Sequence, residues 1–346
     1  MPDLKEYMEF AVEKTVELLA IDSPTGYTEE AAHWVAEEFR ALGAQVTRTR
    51  KGSVLVDLGG RDAENAVLLE AHADTLGGMV AEVKSNGRLR IVNVGGLNAN
   101  NTEAENCRIV TKFRGSYTGT LQLCNASIHV HDNYNGTART FRGMEVLLDE
   151  VVASAEDVRA LGIGPGDFVC FEPRTRVTER GYIKSRFLDD KLSVGILMGY
   201  AKYRKDTGTV PERRVYLHIT TYEEVGHGGS AGVPEGVTEV ISVDMGCVGD
   251  GLQCDERKVS ICAQDSGGPY DYHVVKGLME AAEREGADYA VDLYPHYGSD
   301  VEATLRAGYD VRHGLIGAGV YASHGYERSH KDGVLNTLKV LKGYLG

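Results

Sequence analysis

Apolar positions define the first elements of the chain. From Leu4 to Ala20 they recur at Met8, Ala11, Val12, Val16 and Leu19, the spacing of one face of an amphipathic helix. Ser23-Pro24-Thr25-Gly26 breaks that pattern. Thr28 then offers a cap ahead of Glu29 and Glu30, and a second helix runs to Leu42 before Gly43 stops it. Val46 to Leu58 and Ala66 to Ala71 read as strands, the second so uniformly apolar that burial on both faces of a sheet is expected. Helices alternating with buried strands predict a three-layer α/β domain.

Beyond Asp74 the pattern changes. Short β-type runs at Met79–Val83, Leu89–Val94, Arg108–Phe113, Leu121–Ile128, Glu145–Leu148 and Phe168–Phe171 lie between Gly and Asn turns, as in a small β-barrel or sandwich. Helical and buried-strand patterns resume at Lys191–Tyr203, Arg214–Thr220, Val240–Val243, Tyr270–Glu285, Val311–Ile316 and Leu335–Leu345. The simplest account is one α/β domain, residues 1–74 and 182–346, interrupted by a β-rich insert at 75–181.

Composition narrows the function. The 346 residues carry a net charge of -14 with no long Lys/Arg run, which argues against a nucleic-acid partner and suits a cationic ligand or a metal. No apolar run approaches the ~20 residues needed to span a bilayer, so no membrane partner is expected. Met1-Pro2-Asp3-Leu4-Lys5-Glu6 lacks a signal-peptide core, and a cytoplasmic location is the expectation. The six cysteines are scattered without a C-x-x-C pair and read as reduced thiols.

Five segments carry candidate chemistry, each following a predicted strand or apolar stretch or preceding a helix. His72-Ala73-Asp74 follows the buried strand, where open α/β sheets place their sites, and sets an imidazole beside a carboxylate able to orient it. Asp189-Asp190 precedes a helix; the pair suits a helix start or a metal bridge equally well. Glu223-Glu224 and Asp244 each follow an apolar strand, and adjacent glutamates point in different directions, so one can bind metal while the other works as a base. His324 follows a further apolar stretch. These are hard or borderline ligands without a thiolate, a set that suits zinc, cobalt or manganese. His129-Val130-His131 lacks carboxylates from a second segment and reads as a loop edge.

The ordered set His72-x-Asp74, Asp189-Asp190, Glu223-Glu224-Val225-Gly226, Val243-Asp244 and His324 resembles the tetrahedral (TET-type) dinuclear metalloaminopeptidases, the glutamyl and deblocking aminopeptidase family, across essentially the whole chain. Asp265–His273 and Ser323–Arg328 look more like a subgroup linked to osmoprotectant dipeptide metabolism. The resemblance implies a three-layer α/β/α zinc-peptidase-like catalytic domain with an inserted small, PDZ-like β-barrel used for oligomerisation. By the same resemblance His72 and Asp244 bind one divalent metal, Glu224 and His324 a second, and Asp189 bridges them across a cis Asp189–Asp190 peptide. Asp74 orients His72, and Glu223 is the catalytic base. The expected metals are two zinc ions per subunit, with cobalt or manganese as alternatives; the partners are short peptides or dipeptide-like molecules and further copies of the chain in a dodecamer built from dimers. His324-Gly325-Tyr326-Glu327 is a shorter step from His to Glu than the family commonly has. Two alternatives stay open at this level: an amidase or deacylase acting on acylated amino acids or an osmolyte dipeptide, and a catalytically silent metal-binding assembly protein.

Overall fold

In the computed structural model, which describes residues 3–346, the run from Ala66 to Ala71 lies in the strand Asp62–His72, buried from Ala66 onward. Val67, Leu69 and Ala71 enter a large core beneath the long helices, while Leu68 enters a smaller one with Val240, Val301 and Leu315. Apolar contact on both faces removes the polar alternation of a half-exposed strand. Strand Arg213–Thr220 runs parallel on one side, with Thr220 opposite His72, and Val237–Val243 runs parallel on the other, with Ser242 opposite Glu70. Arg312–Tyr321 continues the parallel set, Ile316 opposite Val243. Four strands therefore end on one edge, and the segments leaving that edge carry His72, Glu223 and Glu224, Asp244 and His324.

The helices Leu4–Leu19, Glu29–Ala41, Leu188–Thr207, Tyr272–Glu285 and Lys331–Leu345 bury their apolar faces in the larger core. The opposite layer is thin and is built around the short helix Asp300–Arg306, whose Val301 packs in the smaller core. Lys191, 1% exposed, donates from Nζ to the carbonyls of Leu18 (3.1 Å) and Ile21 (2.6 Å), so the helix that follows the paired aspartates is tied to the end of the first helix.

The chain divides into two compact units, the segment through Asp74 with Arg174–Gly346, and Thr75–Pro173. The second unit is a closed barrel of Gly77–Val83, Leu89–Val94, Met144–Leu148, Ser116–Leu123, Asn106–Val110 and Phe168–Phe171, filled by Leu89, Ile91, Ile109, Leu121 and Val146.

Several expectations need correction. The return to the first unit comes at Arg174 and not at 182, because Arg176–Val177 pairs with Tyr182–Ser185, which pairs in turn with Glu327–His330. The single strand expected at Val46–Leu58 is a hairpin of Gln45–Arg48 and Val54–Gly59, turned at Gly52 with φ 96°. The strand expected to reach Ile128 ends at Leu123. Beyond it Arg139 pairs with Glu103 at 2.8 Å and lies over the Tyr134 ring, so that guanidinium is held within the barrel unit. Among the described residues no helix is long and apolar enough to cross a membrane, and all six cysteines are free.

Candidate metal centre

His72 is the last residue of its strand and 1% exposed. Its Nδ1 lies 2.9 Å from the Asp74 carbonyl oxygen, which can only accept, so Nδ1 carries a proton and Nε2 is the atom left to take a metal or, without one, a second proton. Nε2 is 3.0 Å from Asp189 Oδ1 and 3.7 Å from Glu223 Oε2. The Asp74 carboxylate is 3.6 Å from Nδ1 and works mainly elsewhere: Oδ1 accepts from the Glu223 N–H (3.2 Å) and Oδ2 from the Thr25 hydroxyl (2.6 Å). Asp74 thus positions His72 chiefly through its main chain and Glu223 through its side chain.

Asp189 faces both imidazoles, with Oδ2 3.5 Å from His324 Nε2 while Oδ1 meets His72. Glu224 Oε2 lies 3.8 Å from His324 Nε2. Asp189 and Asp190 have non-helical backbone angles ahead of the helix proper, and the peptide joining them is cis. The Tyr321–Tyr326 loop places His324 at φ 61° and Ala322 at φ 59°, left-handed conformations that cost about 1–3 kcal/mol each and mark over-determined sites.

Ligand atoms of His72, Asp189 and Glu224 lie within 4.8 Å of one another, and so do those of His72, Asp190 and Asp244. All five expected ligands and Glu223 are therefore brought together at one edge of the sheet. Asp190 belongs to the cluster as well, a part the sequence reading did not assign. Its Oδ2 accepts from the His72 N–H at 3.2 Å, and its buried Oδ1 has no hydrogen-bond partner among the described residues. Glu327 was noted only for its spacing, yet it accepts from the N–H groups of Asp189 and His324, each at 3.1 Å.

Electrostatics agree with a cation site. Burial pushes Asp244 up to about 7 and Glu327 up to about 8, with the Asp189 charge adding to both. Burial also raises Glu223, Glu224 and Asp190 well above the carboxylate range. For His72 burial opposes the charged form, but Asp189, Asp74 and Glu223 outweigh it and raise its proton affinity. Within the cluster Asp189 moves the other way, below the ordinary range, because its burial is overcome by hydrogen bonds from His324 and His72. Crowded carboxylates of this kind take up positive charge, as protons or as divalent metal, and the unpartnered Asp190 oxygen and the nitrogen–oxygen donor set fit the metal.

Imidazoles and carboxylates converging on the carboxyl edge of a parallel sheet have the make-up of a metallohydrolase. The chain belongs to the family described as M42 glutamyl aminopeptidase, which it matches over residues 52–340, and it is a metal-dependent aminopeptidase. It is 41% identical over 339 residues to "Putative aminopeptidase YhfE" of Bacillus subtilis (strain 168), covering 97% of this chain and 98% of that protein. Its fold is similar to a TET aminopeptidase from a marine sediment thaumarchaeon (TM-score 0.88, 16% identity, 97% of this chain and 96% of that one). It is also similar to the Pyrococcus horikoshii TET1 peptidase, which can assemble into a tetrahedron or a large octahedral shell (TM-score 0.84, 20% identity, 96% and 98% covered). Neither the deacylase nor the silent-assembly alternative is favoured by this membership.

Proposed function

We propose that this chain removes amino-terminal residues from short peptides with two divalent metals, zinc in the first instance, held by His72, Asp244, Glu224 and His324 and shared by Asp189. The observation that carries this reading is the position of Asp189, whose two oxygens face different imidazoles at 3.0 and 3.5 Å. Bound metals would supply a water acidic near neutrality and positive charge beside the developing oxyanion. Glu223 takes the water's proton at Oε2 and returns it to the leaving amine; its raised proton affinity suits both halves of that task. Asp74 holds the Glu223 backbone and the Nδ1 side of His72 in place.

Family relatives that form closed shells support a homo-oligomer, and we assign this chain a dodecamer of tetrahedral symmetry built from dimers through the barrel unit. Elemental analysis with a substrate panel tests the site. Wild-type protein is expected to hold two metal equivalents per chain and to cleave free but not N-acetylated peptides. Asp189→Ala should lose occupancy at both positions, and two retained equivalents in that variant would contradict the shared ligand.

A further inference from the structure

Glu327 stands outside the ligand set, yet both of its oxygens are spent on it. The strand Glu327–His330 runs antiparallel to Tyr182–Ser185 with Glu327 opposite Ser185, which places its side chain beside the segment leading to Asp189. Oε2 accepts from the Asp189 N–H at 3.1 Å. The loop before it curls tightly: Gly325 N–H donates to the Ala322 carbonyl at 3.0 Å, and Ala322 and His324 are both left-handed. That curl lets a residue only three positions past His324 reach back, and Oε1 accepts from the His324 N–H at 3.1 Å. The side chain is 2% exposed, so water does not compete for these bonds.

We propose that Glu327 is a positioning residue, a two-toothed clasp that fixes the backbones of Asp189 and His324 relative to each other and so presets the opening between a shared carboxylate and a terminal imidazole. This rests on the ligand roles proposed above. The two ligands are far apart in sequence, and without the clasp the His324 loop would have to be ordered at the moment of metal binding. Two N–H donors need two acceptors. A carboxyl group supplies them, since each of its oxygens keeps a lone pair even when one carries a proton, whereas an amide of the same shape offers one acceptor and turns an NH2 group against the other donor. The short His324-to-Glu327 step is thereby explained as the reach set by a left-handed turn.

The test is a cobalt(II) titration of metal-free protein, followed by visible absorption and calorimetry, for wild type, Glu327→Gln and Glu327→Ala. Wild type is expected to bind two equivalents. The variants should keep the first and bind the second at least ~10-fold more weakly, the scale on which residues behind the ligands act, while circular dichroism shows them folded. Folded variants with wild-type isotherms would overturn the clasp alone; a wild type that fails to bind two equivalents would overturn the dinuclear reading beneath it. Independently of any variant, the amides of Asp189 and His324 should exchange slowly with deuterium in metal-free wild type, and unprotected exchange there would equally dispose of the proposal.

Discussion

Glu223 and Glu224 are neighbours in the chain but face different imidazoles, Oε2 of the first 3.7 Å from His72 and Oε2 of the second 3.8 Å from His324. The proposed division into base and ligand fits that divergence, and it predicts the outcome of Glu223→Gln. Metal content should stay at the wild-type level while kcat falls by roughly 10²–10⁴-fold, the usual worth of a positioned base; a metal-loaded variant with normal turnover would remove Glu223 from the chemistry. A second residue-scale prediction concerns Glu302, which burial first and Asp265 next push up from 4.5 to about 7, against the opposing pull of Arg306. A carboxyl whose folded value lies above its unfolded one takes up a proton on folding, so its stabilising contribution is complete below about pH 4.5 and is lost as pH rises through about 7. Thermal melts of wild type and Glu302→Gln should therefore diverge, the variant gaining relative to wild type between pH 5 and 8. A melting-temperature difference that does not change over that range contradicts the assignment. At this scale the chemistry-bearing pairs were legible because His72, Glu223 and Asp244 sit at or just past the ends of apolar strands. Asp190 and Glu327 were not, since their roles consist of hydrogen bonds to main-chain N–H groups on other segments, and those depend on register that spacing does not encode.

Elements were readable where their apolar faces were. The helix Leu4–Leu19 and the strand Asp62–His72 follow their hydrophobic patterns closely, whereas Asp300–Arg306 left no periodic signal. That helix is anchored by polar contacts instead: Asp300 accepts from the Thr220 hydroxyl and from the Gly229 N–H at 2.6 Å, and the Thr304 hydroxyl donates to Glu70 at 3.0 Å. Strand Val259–Asp265 escaped for a related reason. Val259 and Ile261 enter the large core and Cys262 the small one, and Ser260 is buried too, so no polar face alternates with the apolar one. The close approach of strand Arg312–Tyr321 to the Asp244 segment also lies beyond pattern reading. Asp244 N–H donates to the Ile316 carbonyl at 3.0 Å, and a Cβ on Gly317 would be driven into the Asp244 carbonyl oxygen. Gly317→Ala should accordingly push Asp244 out of the centre, costing about 1–3 kcal/mol or more of stability and at least one metal equivalent. Wild-type melting and full metal content in this variant would show that the strand and the Asp244 turn can separate without consequence.

For the whole molecule, net charge and the proposed dodecamer pull against each other. Each chain carries -14, so bringing twelve of 37.6 kDa into one shell of about 450 kDa concentrates like charge that solution ions must screen. The screening length is roughly 8 Å at 0.15 M salt and ~30 Å at 0.01 M. At the higher salt, repulsion between subunits is confined to their immediate contacts; at the lower, it acts across most of a subunit. Apolar contact between copies is far less sensitive to salt, and the barrel unit has apolar side chains to offer, with Phe113 92% exposed and Val130 71% exposed. The expected result is a light-scattering mass near that of the dodecamer at 0.15 M, moving towards dimers when the same protein is diluted into 0.01 M buffer and returning when salt is restored. Phe113→Asp should shift the equilibrium the same way at constant salt while leaving the barrel folded, because the side chain it replaces is on the surface and outside the barrel core. A mass that stays monomeric at 0.15 M contradicts the assembly, and a dodecamer indifferent to both salt and Phe113→Asp places its contacts on neutral surfaces elsewhere.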